Sequence, residues 1–459
     1  MRATVRNLGV IKEEATIDLK PLTIFIGPNN AGKTWLAYAL AGILSSYGSE
    51  KYAQAYIEKQ VPSIYESLDK AIEQILTEGN ATIDLQRFAN DCGEKYFNDV
   101  AQFARKWMGE FLGTQLAHFE DMDISLSLAE MKEQFLDQIS QYSQYSGISV
   151  GPKGSLLTIR KRPNEEKLYA YTSTELQDAN GQEEQIGVKI PPEEVRGRLV
   201  NFVFTALRRS LYPGIRIFPT ERTTLIATDP RLPSRIRPLR SFLNMLSSMF
   251  ESGSVERAER EKAAKRDQRI RKYIKLAEVL EKQILEGDVD FSTPEPDPRR
   301  EILFRTTTGA FLDLPVVSSM IKELSPLVLY LRYLAEAGEL LVIDEPEMNL
   351  HPEAQAKMIE FLAMLVNAGL RVLITTHSPY IVDHLTNLMQ AAEYEGDDQA
   401  LLMGKFFLKN KDAFISQEHV SVYLINPGET KNILSEHGKI NWGTFGDVTD
   451  QIATIHYEL

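Results

Sequence analysis

The 459-residue sequence is poor in the features that mark secreted, zinc-binding and membrane-spanning proteins. It has one cysteine, Cys92, which excludes an internal disulfide framework and agrees with a reducing compartment. One cysteine and seven scattered histidines do not build a zinc site. No apolar run approaches the roughly 20 residues that a membrane span needs, and the N-terminus lacks the apolar core of a signal peptide. We therefore expect a cytoplasmic protein with no membrane partner.

The charge of the chain is unevenly distributed. The net charge of −13 disfavours nonspecific binding of nucleic acid over the whole surface. The basic stretch 255–283 is more typical of a solvated helix with ion pairs between successive turns than of a binding surface. A separate arginine cluster is a candidate for contact with phosphate or nucleic acid, and its members are Arg222, Arg231, Arg235, Arg237 and Arg240.

The segment GPNNAGKT at 27–34 is typical of a phosphate-binding loop. The apolar run 22–26 before it predicts a buried parallel strand, and 34–45 predicts a helix whose positive end faces the phosphates. Glycine lets the loop turn its N–H groups toward phosphate oxygens, while Lys33 reaches the β- and γ-phosphates and the Thr34 hydroxyl binds Mg²⁺. The predicted nucleotide-binding residues are Gly27, Pro28, Asn29, Asn30, Ala31, Gly32, Lys33 and Thr34.

Two later strands end in residues that suit the same chemistry. The apolar run 340–343 is followed by Asp344, predicted to hold Mg²⁺, and by Glu345, predicted to be the general base for the attacking water. The strand 370–375 leads to His377, which we predict polarises the γ-phosphate. A chance glycine loop, a solvated acidic turn and a structural histidine are the separate alternatives. The three motifs in this order indicate ATP hydrolysis.

Some 310 residues separate the phosphate loop from Asp344, far more than a compact ATPase domain needs. We therefore predict an α/β P-loop nucleotide-binding fold with a large, mainly helical insertion. A narrow apolar stripe along 254–286 predicts one helical arm about 50 Å long. The predicted organisation is an N-terminal ATPase part at 1–45, a mainly helical insertion with a small β-hairpin region at 46–212, a return strand at 213–225, a basic segment and helical arm at 226–299, and a C-terminal ATPase part at 300–459.

These motifs resemble the soluble branch of the ATP-binding-cassette (ABC) superfamily of AAA-type ATPases. That branch includes the structural-maintenance-of-chromosomes, RecF-like and overcoming-lysogenization-defect ATPases. The resemblance implies ATP and Mg²⁺ as cofactors and a homodimer or a higher even-numbered oligomer. It covers residues 1–45, 213–225 and 300–430.

The resemblance also assigns roles to residues around the second half of the ATPase part. Asn349 falls in the D-loop, a nucleotide-contacting turn. Ser318 and Ser319 match the signature serines that approach the γ-phosphate from a second subunit. The glycine expected after them is Met320, which brings a side chain where backbone normally approaches. The residue that normally couples Mg²⁺ to the insertion is a glutamine, and the nearest candidates here are the neighbours Thr220 and Glu221.

Relatives that cut nucleic acid carry a Toprim domain, and the chain after His377 contains no Asp-x-Asp motif for one. We therefore expect no intrinsic nuclease and a separate effector protein, for which a nuclease is one candidate. Anti-phage systems such as Septu, Gabija and PARIS use similar ATPases, so a sensor or switch triggered by DNA or a phage protein is the favoured function. The alternatives are an ATP-bound scaffold with slow turnover, which Met320 suggests, and a RecF-like DNA-repair clamp.

Overall fold

The computed structural model describes residues 1–150, 154–172, 175–177, 183–185, 190–226, 236–251, 254–292, 301–313, 316–441 and 454–455. The helices are α1 (Lys33–Leu44), α2 (Ser46–Ile57), α3 (Glu66–Glu78), α4 (Leu85–Phe103), α5 (Met108–Leu112), α6 (Lys132–Gln141), α7 (Pro192–Leu211), α8 (Arg222–Ile226), α9 (Arg237–Glu251), α10 (Ser254–Arg266), α11 (Gln268–Val279), α12 (Ser319–Tyr333), α13 (Pro352–Asn367), α14 (Pro379–Ala391) and α15 (Gly396–Met403). Within these described ranges, no helix combines the length and the apolar character needed to cross a bilayer.

A π-helix at Leu280–Leu285 continues α11, and short 3-10 turns occur elsewhere in the described residues. The strands are β1 (Arg2–Arg6), β2 (Ala15–Asp18), β3 (Leu22–Ile26), β4 (Asn80–Asp84), β5 (Asp123–Ser127), β6 (Gln144–Val150), β7 (Gly154–Lys161), β8 (Lys167–Thr172), β9 (Glu175–Gln177), β10 (Glu183–Gln185), β11 (Ile215–Phe218), β12 (Gly287–Ser292), β13 (Glu301–Thr306), β14 (Phe311–Asp313), β15 (Leu340–Asp344), β16 (Arg371–Thr376), β17 (Val420–Asn426) and β18 (Glu429–Asn432). Strands and helices occur in both halves of the chain. The α/β fold class predicted from the sequence is confirmed.

The chain divides into two compact units. The predicted insertion at 46–212 falls largely in unit 1, and most of the predicted ATPase segments fall in unit 2. Unit 1 comprises residues 1–4, 42–108 and 120–213, and unit 2 comprises residues 5–41, 109–119 and 214–459.

Unit 1 combines helices with an antiparallel sheet in the order β4-β8-β7-β6. Strand β4 comes from a stretch predicted to be helical, and it pairs along its whole length with β8. The side chain of Phe204 on α7 contacts four tyrosine rings at centroid distances of 4.7–5.8 Å. Such aromatic contacts add to the burial of large apolar surfaces. The four tyrosines are Tyr52, Tyr56, Tyr65 and Tyr96.

Unit 2 is built on a six-stranded sheet in the order β11-β15-β16-β3-β17-β18. The first five strands are parallel, and β18 pairs antiparallel with β17. Strands β3 and β15 are buried at every position, as expected for central parallel strands. Asp344 pairs with Thr375 and Thr376 pairs with Ile26, so the carboxyl ends of three strands lie side by side. Parallel sheets bind ligands at this edge.

The predicted single helical arm at 254–286 is wrong. The structure has two helices, and the Asp267 side chain caps α11 by accepting a hydrogen bond from the Arg269 N–H. The apolar stripe belongs to the core of unit 2, where Tyr273 and Leu280 are buried. Arg260 donates to the carbonyl oxygens of Arg332, in the last turn of α12, and of Ala335, just past its end, each over 2.8 Å. The stripe is therefore an internal packing surface.

Candidate active site

The phosphate-loop motif connects β3 to α1 by a turn that requires glycine. Gly27 has φ +144°, and a Cβ there would lie 2.0 Å from the carbonyl oxygen of Ile425. Gly32 has φ +95°. The Lys33 ammonium is buried and donates to the carbonyl oxygens of Gly27 and Pro28 over 3.1 and 2.9 Å. The turn thus brings the amino end of α1 and a buried cation to the edge where β3 ends.

The carboxylate of Asp344, the last residue of β15, is met by four hydroxyl groups. Thr34 Oγ1 donates to Oδ1 and Oδ2 over 2.9 and 3.2 Å, and Thr220 Oγ1 donates to Oδ2 over 2.6 Å. Thr375 Oγ1 donates to Oδ1, and the Tyr38 hydroxyl lies 3.4 Å from Oδ2. Asp344 is 1% exposed, and no described residue forms an ion pair with it. The side-chain groups that donate hydrogen bonds to this carboxylate are therefore neutral, and the Lys33 ammonium acts on it only at longer range.

Glu345 follows in a left-handed conformation with φ +47°, which is costly for a residue with a side chain. Its N–H donates to the Thr375 carbonyl over 3.1 Å, which fixes the turn against β16. Burial raises the pKa of the Glu345 carboxyl, and the carboxylates of Asp344 and Glu347 raise it further, against the opposing charge of Lys33. A carboxylate with a raised pKa in this position can accept a proton from water.

His377 lies beside Glu345, with 3.5 Å between His377 Nε2 and Glu345 Oε1. Burial lowers the pKa of His377, and the Lys33 ammonium lowers it further. Burial also lowers the pKa of Lys33, while the carboxylates of Glu345, Asp344 and Glu347 oppose that shift. A lowered pKa favours a neutral imidazole, which can donate one hydrogen bond and accept another.

Glu347 is a site residue that the sequence analysis missed. Its Oε1 accepts hydrogen bonds from Thr376 Oγ1 over 2.8 Å and from the His377 N–H over 2.7 Å. It therefore ties the turn after β15 to the histidine after β16. Burial raises the pKa of Glu347, and the His377 N–H opposes the shift. The signal in the sequence was a second glutamate two positions after Glu345, next to a motif already recognised.

Four residues implied by the family resemblance lie around the start of α12 and the turn before α13. Ser318 caps α12 by accepting from the Ile321 N–H, and Ser318 and Ser319 are exposed. Met320 is partly buried and packs against the core of unit 2. Asn349 is exposed with φ +61°. The structure thus leaves both serines accessible and turns Met320 inward.

The predicted arginine cluster is not one surface. Arg222 is 2% exposed and pairs with the buried Glu323, so its prediction as a phosphate or nucleic-acid contact is wrong. Arg237 forms an ion pair with Glu110 over 2.9 Å. Arg240 is exposed, and its predicted role stays a prediction. The two remaining members lie outside the described residues: Arg231 and Arg235.

Part of the chain matches a known protein family. Residues 216–383 match the family described as "AAA domain, putative AbiEii toxin, Type IV TA system". The matched segment contains Asp344, Glu345 and His377 and begins after the phosphate loop. No curated protein matches the sequence. The match shows that residues 216–383 are similar to an AAA domain, and the strand, loop and helix around Lys33 follow in the order of a phosphate-binding loop.

Solved structures that align with the chain include heads of SMC proteins. One is an SMC head bound to the C-winged helix domain of ScpA, with 11% identity and a TM-score of 0.36, over 94% of this chain and 96% of that chain. The head from Thermotoga maritima gives 10% identity and a TM-score of 0.30, with coverages of 95% and 98%. A head with an extended coiled coil, bound to the C-terminal domain of ScpA from Pyrococcus furiosus, gives 10% and 0.35, with coverages of 98% and 98%.

Proposed function

We propose that this protein binds ATP with Mg²⁺ at the carboxyl edge of β3, β15 and β16 and hydrolyses it. The observation that carries the proposal is the buried Asp344 carboxylate, held by four hydroxyls and by no ion pair among the described residues. A buried carboxylate is costly unless a positive charge compensates it. Lys33 and Glu345, one cationic and one acidic, lie at the same edge.

The side chains at this edge fit Mg²⁺, which prefers oxygen ligands and keeps several waters. Thr34 Oγ1 and the Asp344 carboxylate are 2.9 Å apart and would hold the ion from the two motifs, Asp344 through water. The bound ion would neutralise charge on the β- and γ-phosphates. The other three hydroxyls keep the Asp344 carboxylate in place, because each donates to it from a different segment.

The remaining groups have separate tasks in the proposed reaction. Lys33 and the N–H groups of the loop would bind the phosphates. A water oxygen attacks the γ-phosphorus, the bond from phosphorus to the bridging oxygen breaks, and Glu345 takes a proton from the water. Neutral His377, beside Glu345, would hydrogen-bond to the γ-phosphate or to this water. The products are ADP and inorganic phosphate, and catalysis rests on position and charge.

We further propose that two copies close head to tail on two ATP molecules. In this arrangement Ser318 and Ser319 of one copy, with Asn349 in the D-loop, complete the site that holds Lys33 of the other. The exposure of both serines at the amino end of α12 supports this role. The inward packing of Met320 supports it too, because the Met side chain then leaves the exposed face of the signature clear.

For the biological role we propose a cytoplasmic switch that controls a separate effector protein in anti-phage defence, with DNA or a phage protein as trigger. The matched family's description refers to a toxin–antitoxin system, in which two proteins act together, and that supports a paired function. The burial of Arg222 removes one member of the basic cluster, which disfavours a DNA-repair clamp.

Binding of ATP by Lys33→Ala and wild-type protein tests the proposed site. Lys33→Ala should raise the Kd for ATP at least about 10-fold, because hydrogen bonds to charged groups contribute about 1.5–3 kcal/mol each. An unchanged Kd would reject the site.

Purified alone, the protein should not cleave DNA or RNA with added metal ions, and a clean nuclease activity would reject the separate effector.

A further inference from the structure

Arg222 is buried beside the turn that carries Asp344 and Glu345. It follows β11 at the start of α8 and is 2% exposed. Its Nη1 donates to the carbonyl oxygens of Pro219 and Asp344 over 2.9 and 2.6 Å, and its Nη2 donates to that of Glu345 over 2.9 Å. One guanidinium therefore holds the carbonyl of the peptide that joins Asp344 to Glu345 and the carbonyl of the next peptide.

The same guanidinium pairs with Glu323, which lies in the second turn of α12, the signature helix. Glu323 is 1% exposed. Its carboxylate also accepts from Thr223 Oγ1. A single buried carboxylate thus binds the segment after β11 and, through Arg222, is linked to the turn after β15.

Buried ion pairs resist distortion because either charge left alone in the interior is strongly destabilising. A planar guanidinium with several fixed donors also sets direction as well as distance. Any movement of α12 relative to β15 must therefore move the Glu345 carbonyl or break this pair. Since Glu345 already holds a costly φ of +47°, its carboxylate depends on such outside restraints.

We propose that Arg222 and Glu323 are positioning residues that transmit the position of the signature helix to the turn carrying Glu345. This inference rests on the proposed function, because it assigns to the pair an effect on ATP hydrolysis. It predicts that a partner or second subunit that shifts the amino end of α12 changes the rate of hydrolysis more than the affinity for ATP. Neither residue touches the nucleotide in this scheme.

The chain provides a control in a second arginine–glutamate pair, which also contacts α12. Arg216 lies on β11, and its Nη2 is 2.7 Å from Oε1 of Glu339, the residue before β15. Glu339 also accepts from the Tyr330 hydroxyl over 2.6 Å, so this pair holds the carboxyl end of α12. The two pairs share their chemistry and their helix, and only the Arg222 pair contacts the turn at Glu345.

The test compares Arg222→Lys with Arg216→Lys in steady-state ATP hydrolysis. Lysine keeps the charge and loses the planar set of donors. Arg222→Lys should lower kcat at least about 10-fold while KM changes less than about 3-fold, because small misplacements cost about 100-fold in rate. Arg216→Lys should leave both within about 2-fold. Equal losses in the two variants, or no loss in Arg222→Lys, would overturn the proposal. If Arg222→Lys does not fold, Glu323→Asp replaces it with the same expected outcomes.

A second measurement separates this inference from the proposed function. In protein without nucleotide, backbone amides at 344–349 should exchange hydrogen at least about 10-fold faster in Arg222→Lys than in Arg216→Lys. Equal exchange would overturn the link between Arg222 and the turn. If wild-type protein hydrolyses no ATP but the exchange rates differ, the proposed function fails while the structural link stands.

Discussion

Two buried carboxylates stand at opposite ends of β15, and each has a different set of partners. Glu339, just before the strand, pairs with Arg216 and accepts from the Tyr330 hydroxyl and the Glu336 N–H. Asp344, at the other end, accepts from four hydroxyls and has no ion-pair partner in the part of the chain that the structure describes. Both are 1% exposed.

The difference between them indicates which carboxylate serves the fold and which serves a ligand. The charge of Glu339 is compensated inside the protein, so this residue is complete as it stands. Asp344 is held in place by hydroxyls that orient it without cancelling its charge. Lys33, which lies at the same edge, directs its ammonium to loop carbonyls. A divalent cation at Asp344 would supply the missing compensation.

The largest effect is expected for Asp344→Asn. The amide keeps the size of the side chain and removes the charge that would hold Mg²⁺, so ATP turnover should fall about 100- to 1,000-fold. The free energy of unfolding should change little, because no ion pair among the described residues is lost. Phosphate release measures the turnover, and chemical denaturation measures the free energy of unfolding. A strong loss of stability with normal turnover would show that Asp344 serves the fold and not a ligand.

Glu339→Gln should show the opposite pattern to Asp344→Asn, a loss of stability without a loss of ATP turnover, and the change should be smaller. The free energy of unfolding should fall by about 2 kcal/mol, below the usual cost of breaking a buried pair because Arg216 is 32% exposed. Turnover per folded molecule should stay within about 2-fold of wild type. Denaturant titration and phosphate release measure these quantities. Lost turnover in folded Glu339→Gln would show that this end of β15 also serves the reaction.

The smallest expected effect is a shift in the pH dependence of ATP hydrolysis. The proposed base must be ionised, so hydrolysis rises with pH through the pKa of Glu345, which burial and the neighbouring carboxylates raise. The rise of kcat at low pH, the acid limb of the pH profile, should therefore lie at higher pH than it would with an exposed glutamate as base. Glu347→Gln removes one of those charges and should move the limb to lower pH, whereas the exposed Glu353→Gln should not move it. A shift to higher pH, or none, in the kcat profile of Glu347→Gln would contradict this.

The sequence located those functional residues that lie next to a recognisable strand, turn or helix in the chain. A strand, a glycine turn and a helix adjoin at Lys33, and a buried strand ends directly at Asp344, so both could be located without a structure. The hydroxyls around Asp344 were harder to foresee, because they come from separate segments and carry no local pattern. Thr220 was named with Glu221 only as a candidate for the position that is normally glutamine, and its bond to Asp344 depends on the register of β11 and β15.

The two failed predictions have a common physical cause. Charge in a sequence does not show whether a side chain is buried. Arg222 was therefore grouped with surface arginines, because its partner Glu323 lies far along the chain and no local pattern indicates the pair. The apolar stripe at 254–286 showed that one face is buried but not what covers it. In the structure Asp267 divides that segment and the core of unit 2 covers Tyr273.

The most direct test of the account is phosphate release by wild-type protein and by Glu345→Gln, at saturating ATP and Mg²⁺ and with Glu353→Gln as control. We predict Mg²⁺-dependent release by the wild type and by the control. Release by Glu345→Gln should fall to the background rate, while its affinity for ATP is retained, because the base acts on the water and not on binding. Equal rates in Glu345→Gln and wild-type protein would contradict the assignment of this edge as the active site.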